Sequence, residues 1–151
     1  MKTNTKDTKE LQRMANDIHA TIYSIDSHCD TPMYFRYGIN IGKTNPALML
    51  NSKDLGAESE DEWVPYNLKV DIPKMQAGLL DASFMVAYLK QGVRDAQTSQ
   101  QTVEKTEAII REIIRQVENN QAVAGIALST ADLKRLKAEG KKAIFIGIEN
   151  G

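Results

Sequence analysis

Leu11, Met14, Ala15 and Ile18 fall at i, i+3, i+4 and i+7, which predicts a short amphipathic helix over Thr8–Ala20 with its apolar side laid across one end of the domain. His19, near its end, suits the helix dipole as a surface or capping residue and is assigned no function. The period then changes from four to two. A strand is predicted over Thr21–Ser27, where Ile22, Ser24, Asp26, His28 and Asp30 share one parity and form a face that turns polar toward Thr31-Pro32. Ala82–Leu89 and Ala143–Ile148 are apolar on both parities, the pattern of strands covered on both faces in a parallel sheet.

Two helices are predicted between these last strands. Thr98–Asn119 opens on a capping box of Thr98 and Gln101 and carries Val103, Thr106, Ile110, Ile113, Ile114 and Val117 as its buried stripe. The second opens on Ser129 with Asp132, buries Leu133 and Leu136 and closes at Gly140, with Lys134, Arg135, Lys137, Lys141 and Lys142 as a solvated basic face. Between Gly38 and Val70 no helix or strand is predicted. That stretch reads as a long functional loop or insertion, with a solvated acidic cluster at Glu58, Glu60, Asp61 and Glu62 and with Trp63, Pro65 and Tyr66 as anchors. Asp71-Ile72-Pro73 then reads as an N-cap followed by one helical turn up to Gly78. The order predicts an α/β fold in which the strands Thr21–Ser27, Ala82–Leu89 and Ala143–Ile148 are parallel neighbours in that order. The outer edge of the third is expected to lack a partner, a template for association and a possible homo-oligomer.

Composition narrows the function classes. The 151 residues are 42% hydrophobic and 26% charged, as in a globular domain, and 19 basic against 20 acidic residues give a net charge of -1. No global field recruits nucleic acid or an anionic membrane. The single cysteine, Cys29, excludes an internal disulfide and fits a reducing compartment. Met1–Glu10 lacks the apolar core of a signal peptide, and no run approaches the ~20 apolar residues of a membrane span, so a cytoplasmic location is expected unless a leader has been removed.

The candidate chemistry lies at strand tips. His28 and Asp30, two residues apart, point to one face while Cys29 faces away, and imidazole beside carboxylate suits zinc, manganese or iron. Asp26 is either a supporting partner of that pair or a solvated strand-end aspartate. A His-x-Asp tripeptide is common by chance. Glu149, however, repeats the placement at the end of another buried strand, so three potential ligands come from two strand tips; the competing role for Glu149 is a surface cap on its strand.

Three stretches carry a resemblance: Ile25-Asp26-Ser27-His28-Cys29-Asp30-Thr31-Pro32, Val70-Asp71-Ile72-Pro73-Lys74-Met75-Gln76-Ala77-Gly78, and Gly140 through Gly151, ending Ile148-Glu149-Asn150-Gly151. In this order they resemble the membrane (renal-type) dipeptidase family, zinc metallopeptidases built on a (β/α)8 barrel. The resemblance implies dipeptide hydrolysis at two zinc ions, with His28 and Asp30 on one and Glu149 bridging both. Ser27 and Cys29 stand where the family signature has Gly and Asn, and Asn150 where it has Gly; none of these removes a ligand. A barrel of this kind needs ~250 residues, so residues 1–151 are expected to be the N-terminal part of one incomplete barrel domain. The later ligands and the residue near the reacting group would belong to a missing C-terminal half, leaving no catalytic residue to assign here. Two other readings stay open: a metal-dependent barrel amidohydrolase acting on another amide, lactam or ester, and a non-catalytic barrel relative.

Overall fold

The computed structural model describes residues 5–51 and 62–150. Along the chain run α1 (Thr5–Thr21), β1 (Ile25–Cys29), a 3-10 helix (Thr31–Tyr37), β2 (Leu48–Asn51), β3 (Trp63–Tyr66), α2 (Ile72–Ala77), β4 (Ala82–Tyr88), α3 (Ala96–Glu118), β5 (Ala124–Ile126), α4 (Thr130–Ala138) and β6 (Lys142–Glu149). A four-stranded sheet has the order β1-β4-β6-β5, parallel at every pairing. The three expected strands are therefore parallel neighbours in the expected order. They form part of a parallel α/β barrel.

Alternation along the strands decides where the helices lie. Met85 and its register partner Ile146, together with Ile144, pack with Ile113 of α3 in the main core. Ala82 and Ala143, of the opposite parity, pack with Leu133 and Leu136 of α4. The chain thus passes from β4 through α3 to β5, then returns through α4 to lay β6 between β4 and β5. Gly125 makes the close approach of α4 possible, since a Cβ there would meet Leu136 Cδ2 at 2.5 Å.

Several expectations are corrected. β5 was not expected, and its pairing of Ala124–Ile126 with Lys142–Ile144 covers the start of the β6 edge that was to be open. Only the part beyond Ile144 lacks a strand partner there among the described residues. The stretch expected to be all loop holds the antiparallel pair β2–β3, in which Trp63, Pro65 and Tyr66 are strand residues. Glu58, Glu60 and Asp61 lie outside the described residues. The helix of residues 8–20 runs on to Thr21, whose hydroxyl donates to Ile18 O, so β1 starts only at Ile25. Its apolar face is not laid on the domain: Leu11, Met14 and Ile18 are 50–64% exposed. The α3 cap is Asp95, not Thr98; Asp95 accepts from Thr98 N, and Thr98 Oγ1 accepts from Asp95 N. Of the expected stripe Thr106, Ile113 and Val117 are buried, joined by Gln116, while Val103 is exposed.

Other caps stand where the sequence placed them. Ser129 Oγ accepts from Asp132 N at the start of α4, and Gly140, at φ +72, follows its end. Asp71 caps α2 by accepting from Lys74 N at 2.9 Å, is 1% exposed, and anchors a turn whose Ile72 and Met75 are both buried. Asp71→Ala should therefore lose about 1–2 kcal/mol of stability, the upper range for an N-cap, read as a lower urea midpoint at unchanged m.

Candidate metal centre

Pro32 ends β1 by occupying the first turn of the 3-10 helix, with Asp30 at its N-cap position. The corner is pinned from below. The Cys29 thiol is buried and donates to Thr31 Oγ1 at 3.3 Å, and Thr31 Oγ1 donates to Val70 O at 2.7 Å. The β1–β4 register shifts between Asp26 and Cys29, so Cys29 sits opposite Met85 on the core side. Asp26 Oδ1 accepts from the backbone N–H of His28 at 3.1 Å. Asp26 thus steadies the bend at His28 through the main chain.

Glu149 is the last residue of β6 and stands in register with Tyr88, the last residue of β4. The strand tips bring the three expected residues together. His28 Nε2 lies 3.2 Å from Asp30 Oδ1 and 3.2 Å from Glu149 Oε2, and one donor atom from each residue falls within 4.8 Å of the others. Their side chains are 41–50% exposed, so ions and solvent reach the site.

The donor set fits a divalent cation. Nε2 carries at most one proton and cannot donate to both carboxylates, while two carboxylates this close repel each other unless a positive charge sits between them. One imidazole nitrogen and two carboxylate oxygens are borderline and hard donors of the kind zinc accepts in catalytic sites.

Around this cluster lies a cleft of about 1450 Å³. Its lining includes residues that were not expected at the site. Tyr34, from the 3-10 helix, stacks on Tyr66 of β3 with ring centroids 4.7 Å apart. Burial, then the hydrogen bond with Tyr66, pushes the Tyr34 phenol well above its ordinary range, so it stays a neutral hydroxyl. Arg115 of α3 grips Glu112 by two hydrogen bonds, of 2.7 and 2.5 Å, and this contact holds the Glu112 carboxyl below its usual range. Glu112 and Arg115 look like an ordinary i,i+3 surface pair in the sequence, and Tyr34 meets Tyr66 only through the folding of the β2–β3 segment, so no local signal marks either pair.

No curated protein sequence matches the chain. Solved structures do. A probable dipeptidase, PvdM, from Pseudomonas aeruginosa is similar at 20% identity and a TM-score of 0.66 over 93% of this chain and 31% of its own. A metallopeptidase from Rhodobacter sphaeroides, liganded with a phosphinate mimic of the dipeptide L-Ala-D-Ala, is similar at 14% identity and a TM-score of 0.56 over 85% of this chain and 38% of its own. At these identities the likeness is one of fold, and the chain spans about a third of the length of the structures it resembles. The family model for membrane dipeptidases, peptidase family M19, matches residues 12–151, and the chain belongs to that family of metallopeptidases.

Proposed function

We propose that the whole protein is a zinc-dependent dipeptidase and that this chain supplies three of its metal ligands: His28 and Asp30 to one zinc, with Glu149 bridging to a second. The observation that carries this reading is the convergence of His28, Asp30 and Glu149 within 4.8 Å at the strand tips of a chain from a metallopeptidase family. Binuclear zinc, when bound, polarises the scissile carbonyl and brings the pKa of a water near neutrality.

The chain's own residues prepare the site for that. To ligate through Nε2, the His28 imidazole keeps its proton on Nδ1. Asp30 and Glu149 would each supply a carboxylate oxygen beside it. Asp26 holds the His28 main chain, and the Cys29–Thr31–Val70 chain of hydrogen bonds holds the corner from which Asp30 projects. Tyr34 remains an uncharged donor at the cleft wall, and the Arg115–Glu112 pair adds no net charge to it.

The remaining ligands and the residues that grip the substrate would come from parts of the barrel outside this chain, which spans about a third of the length of the structures it resembles. The test is hydrolysis of a panel of dipeptides by the whole protein before and after chelation. Activity should vanish with the chelator and return with Zn²⁺, while the 151-residue polypeptide by itself stays inactive. Hydrolysis that survives complete metal removal would contradict the reading.

A further inference from the structure

Among the described residues Glu149 is placed by its pairing with β4. β6 is paired with β4 up to Tyr88 and Glu149, whereas its pairing with β5 ends at Ile144, so among the described residues the tip carrying Glu149 is held by a strand on one side only. Beyond the last register pair, two further bonds join the same tips: Leu89 N donates to Glu149 O at 3.3 Å, and Gln91 Nε2 donates to Asn150 Oδ1 at 2.9 Å.

Asn150 sits at φ +57, one of only two non-glycine residues with positive φ among the described residues. Glycine takes this conformation freely and asparagine is among the side-chain-bearing residues that tolerate it best. The difference between them here is an acceptor. A glycine would turn the chain after Glu149 equally well but would leave Gln91 with nothing to bind at this point.

We propose that Gln91 and Asn150 form a clasp that positions Glu149, fixing the end of β6 against β4 so that its carboxylate stays on the His28–Asp30 side of the cleft. They are positioning residues that act through Glu149. The proposal rests on the reading of His28, Asp30 and Glu149 as metal ligands. Its mechanism is preorganisation: a carboxylate already held where the cation will sit loses less freedom on binding, and since groups bonded directly to a ligand are typically worth ~10- to 100-fold in metal affinity, a clasp one residue removed belongs at the lower end of that range.

The experiment is a double-mutant cycle in the whole protein with Gln91→Ala, Asn150→Gly and their combination. Affinity is read by titrating the apo protein with Zn²⁺ and with Co²⁺, following heat and the cobalt absorption bands, and each apo form is also melted. Asn150→Gly keeps φ +57 accessible but frees the backbone, whereas Gln91→Ala removes the same bond and leaves the chain after Glu149 unchanged, so agreement between the two singles isolates the side-chain bond. Each single variant should bind metal about 10-fold more weakly with an altered cobalt spectrum. The double variant should be no worse than either single, because both remove one interaction, and the apo melting temperatures should agree closely. Unchanged affinity in the singles, or losses that add in the double, would overturn the clasp. Glu149→Gln separates the two readings. If it weakens metal binding while the clasp variants do not, only the clasp fails; if neither the wild type nor any variant binds metal at this site, the ligand assignment fails and the clasp with it.

Discussion

Glu149→Gln should lower kcat/KM for dipeptide hydrolysis by at least about 10²–10³-fold, the loss that follows removal of one preorganised electrostatic group from an active site. Glutamine keeps the length and shape of the side chain but removes its negative charge and replaces one carboxylate oxygen by an amide nitrogen that cannot ligate. If Glu149 bridges two ions, the bound zinc should fall from two equivalents to one or fewer. Folding should hardly notice. Glu149 is 41% exposed and its contact with His28 is a solvent-screened one, so apo stability should stay within about 0.5 kcal/mol of the wild type. Activity assays, metal analysis and apo melting on one preparation separate these outcomes, and a variant that keeps full activity would remove Glu149 from the site.

Lys137→Met should be strongly destabilising although it lies far from His28, Asp30 and Glu149. The ammonium of Lys137 lies 2.8 Å from Asp81 Oδ2 and donates to His19 O at 2.8 Å and to Ile22 O at 2.5 Å, so it ties α1 and the segment after it to the base of the sheet. Asp81 is 7% exposed and also accepts from Ser24 N and Ser24 Oγ. Methionine fills the space of the lysine stem but leaves that carboxylate buried without its cation. Breaking a buried pair typically costs about 3–5 kcal/mol; with the Lys137 side chain 22% exposed, about 2–3 kcal/mol is expected at pH 7.

The pH dependence of the same variant has a definite sign. Burial on its own raises the Asp81 pKa, but the hydrogen bonds from Lys137 and Ser24 outweigh it and hold the carboxyl below its ordinary value. A depressed carboxyl stabilises the fold above its unfolded pKa of about 3.9, and that contribution is lost as pH falls through the folded value. The difference between wild type and Lys137→Met in urea unfolding should therefore be large at pH 7 and shrink in acid below about pH 4. A constant difference across that range would mean that Asp81 is not the group involved.

How legible these features were in the sequence depends on how local their causes are. β4 and β6 read clearly because both parities are apolar, and Asp71 and Ser129 read as caps because each bonds a backbone N–H three residues ahead. The proximity of His28, Asp30 and Glu149 was legible in part: a buried strand that ends at Glu149 puts that carboxylate level with the end of β1, but Asp30 stands beyond β1, at the N-cap of the 3-10 helix, so the corner after Cys29 and not strand parity brings it to His28. β5 was not legible because three residues containing a glycine show neither alternation nor bulk, and the glycine is explained only by the Leu136 side chain that packs on it. β2 and β3 are four residues each, and Pro65 argues against a strand by itself; what makes them strands is their pairing across a gap in sequence. The α3 stripe read correctly at Thr106, Ile113 and Val117, while the burial of Gln116 was not legible because its amide bonds the backbone of Ile39 and Ile41, partners distant in sequence.

The most direct test of the metal assignment is anomalous diffraction at the zinc edge from crystals of the zinc-loaded whole protein. A peak should lie between the strand tips, about 2.0–2.1 Å from His28 Nε2 and about 2.0–2.2 Å from carboxylate oxygens of Asp30 and Glu149, with a second peak sharing Glu149. A fully active crystal form whose zinc lies elsewhere, with His28, Asp30 and Glu149 bound only to one another, would contradict the assignment.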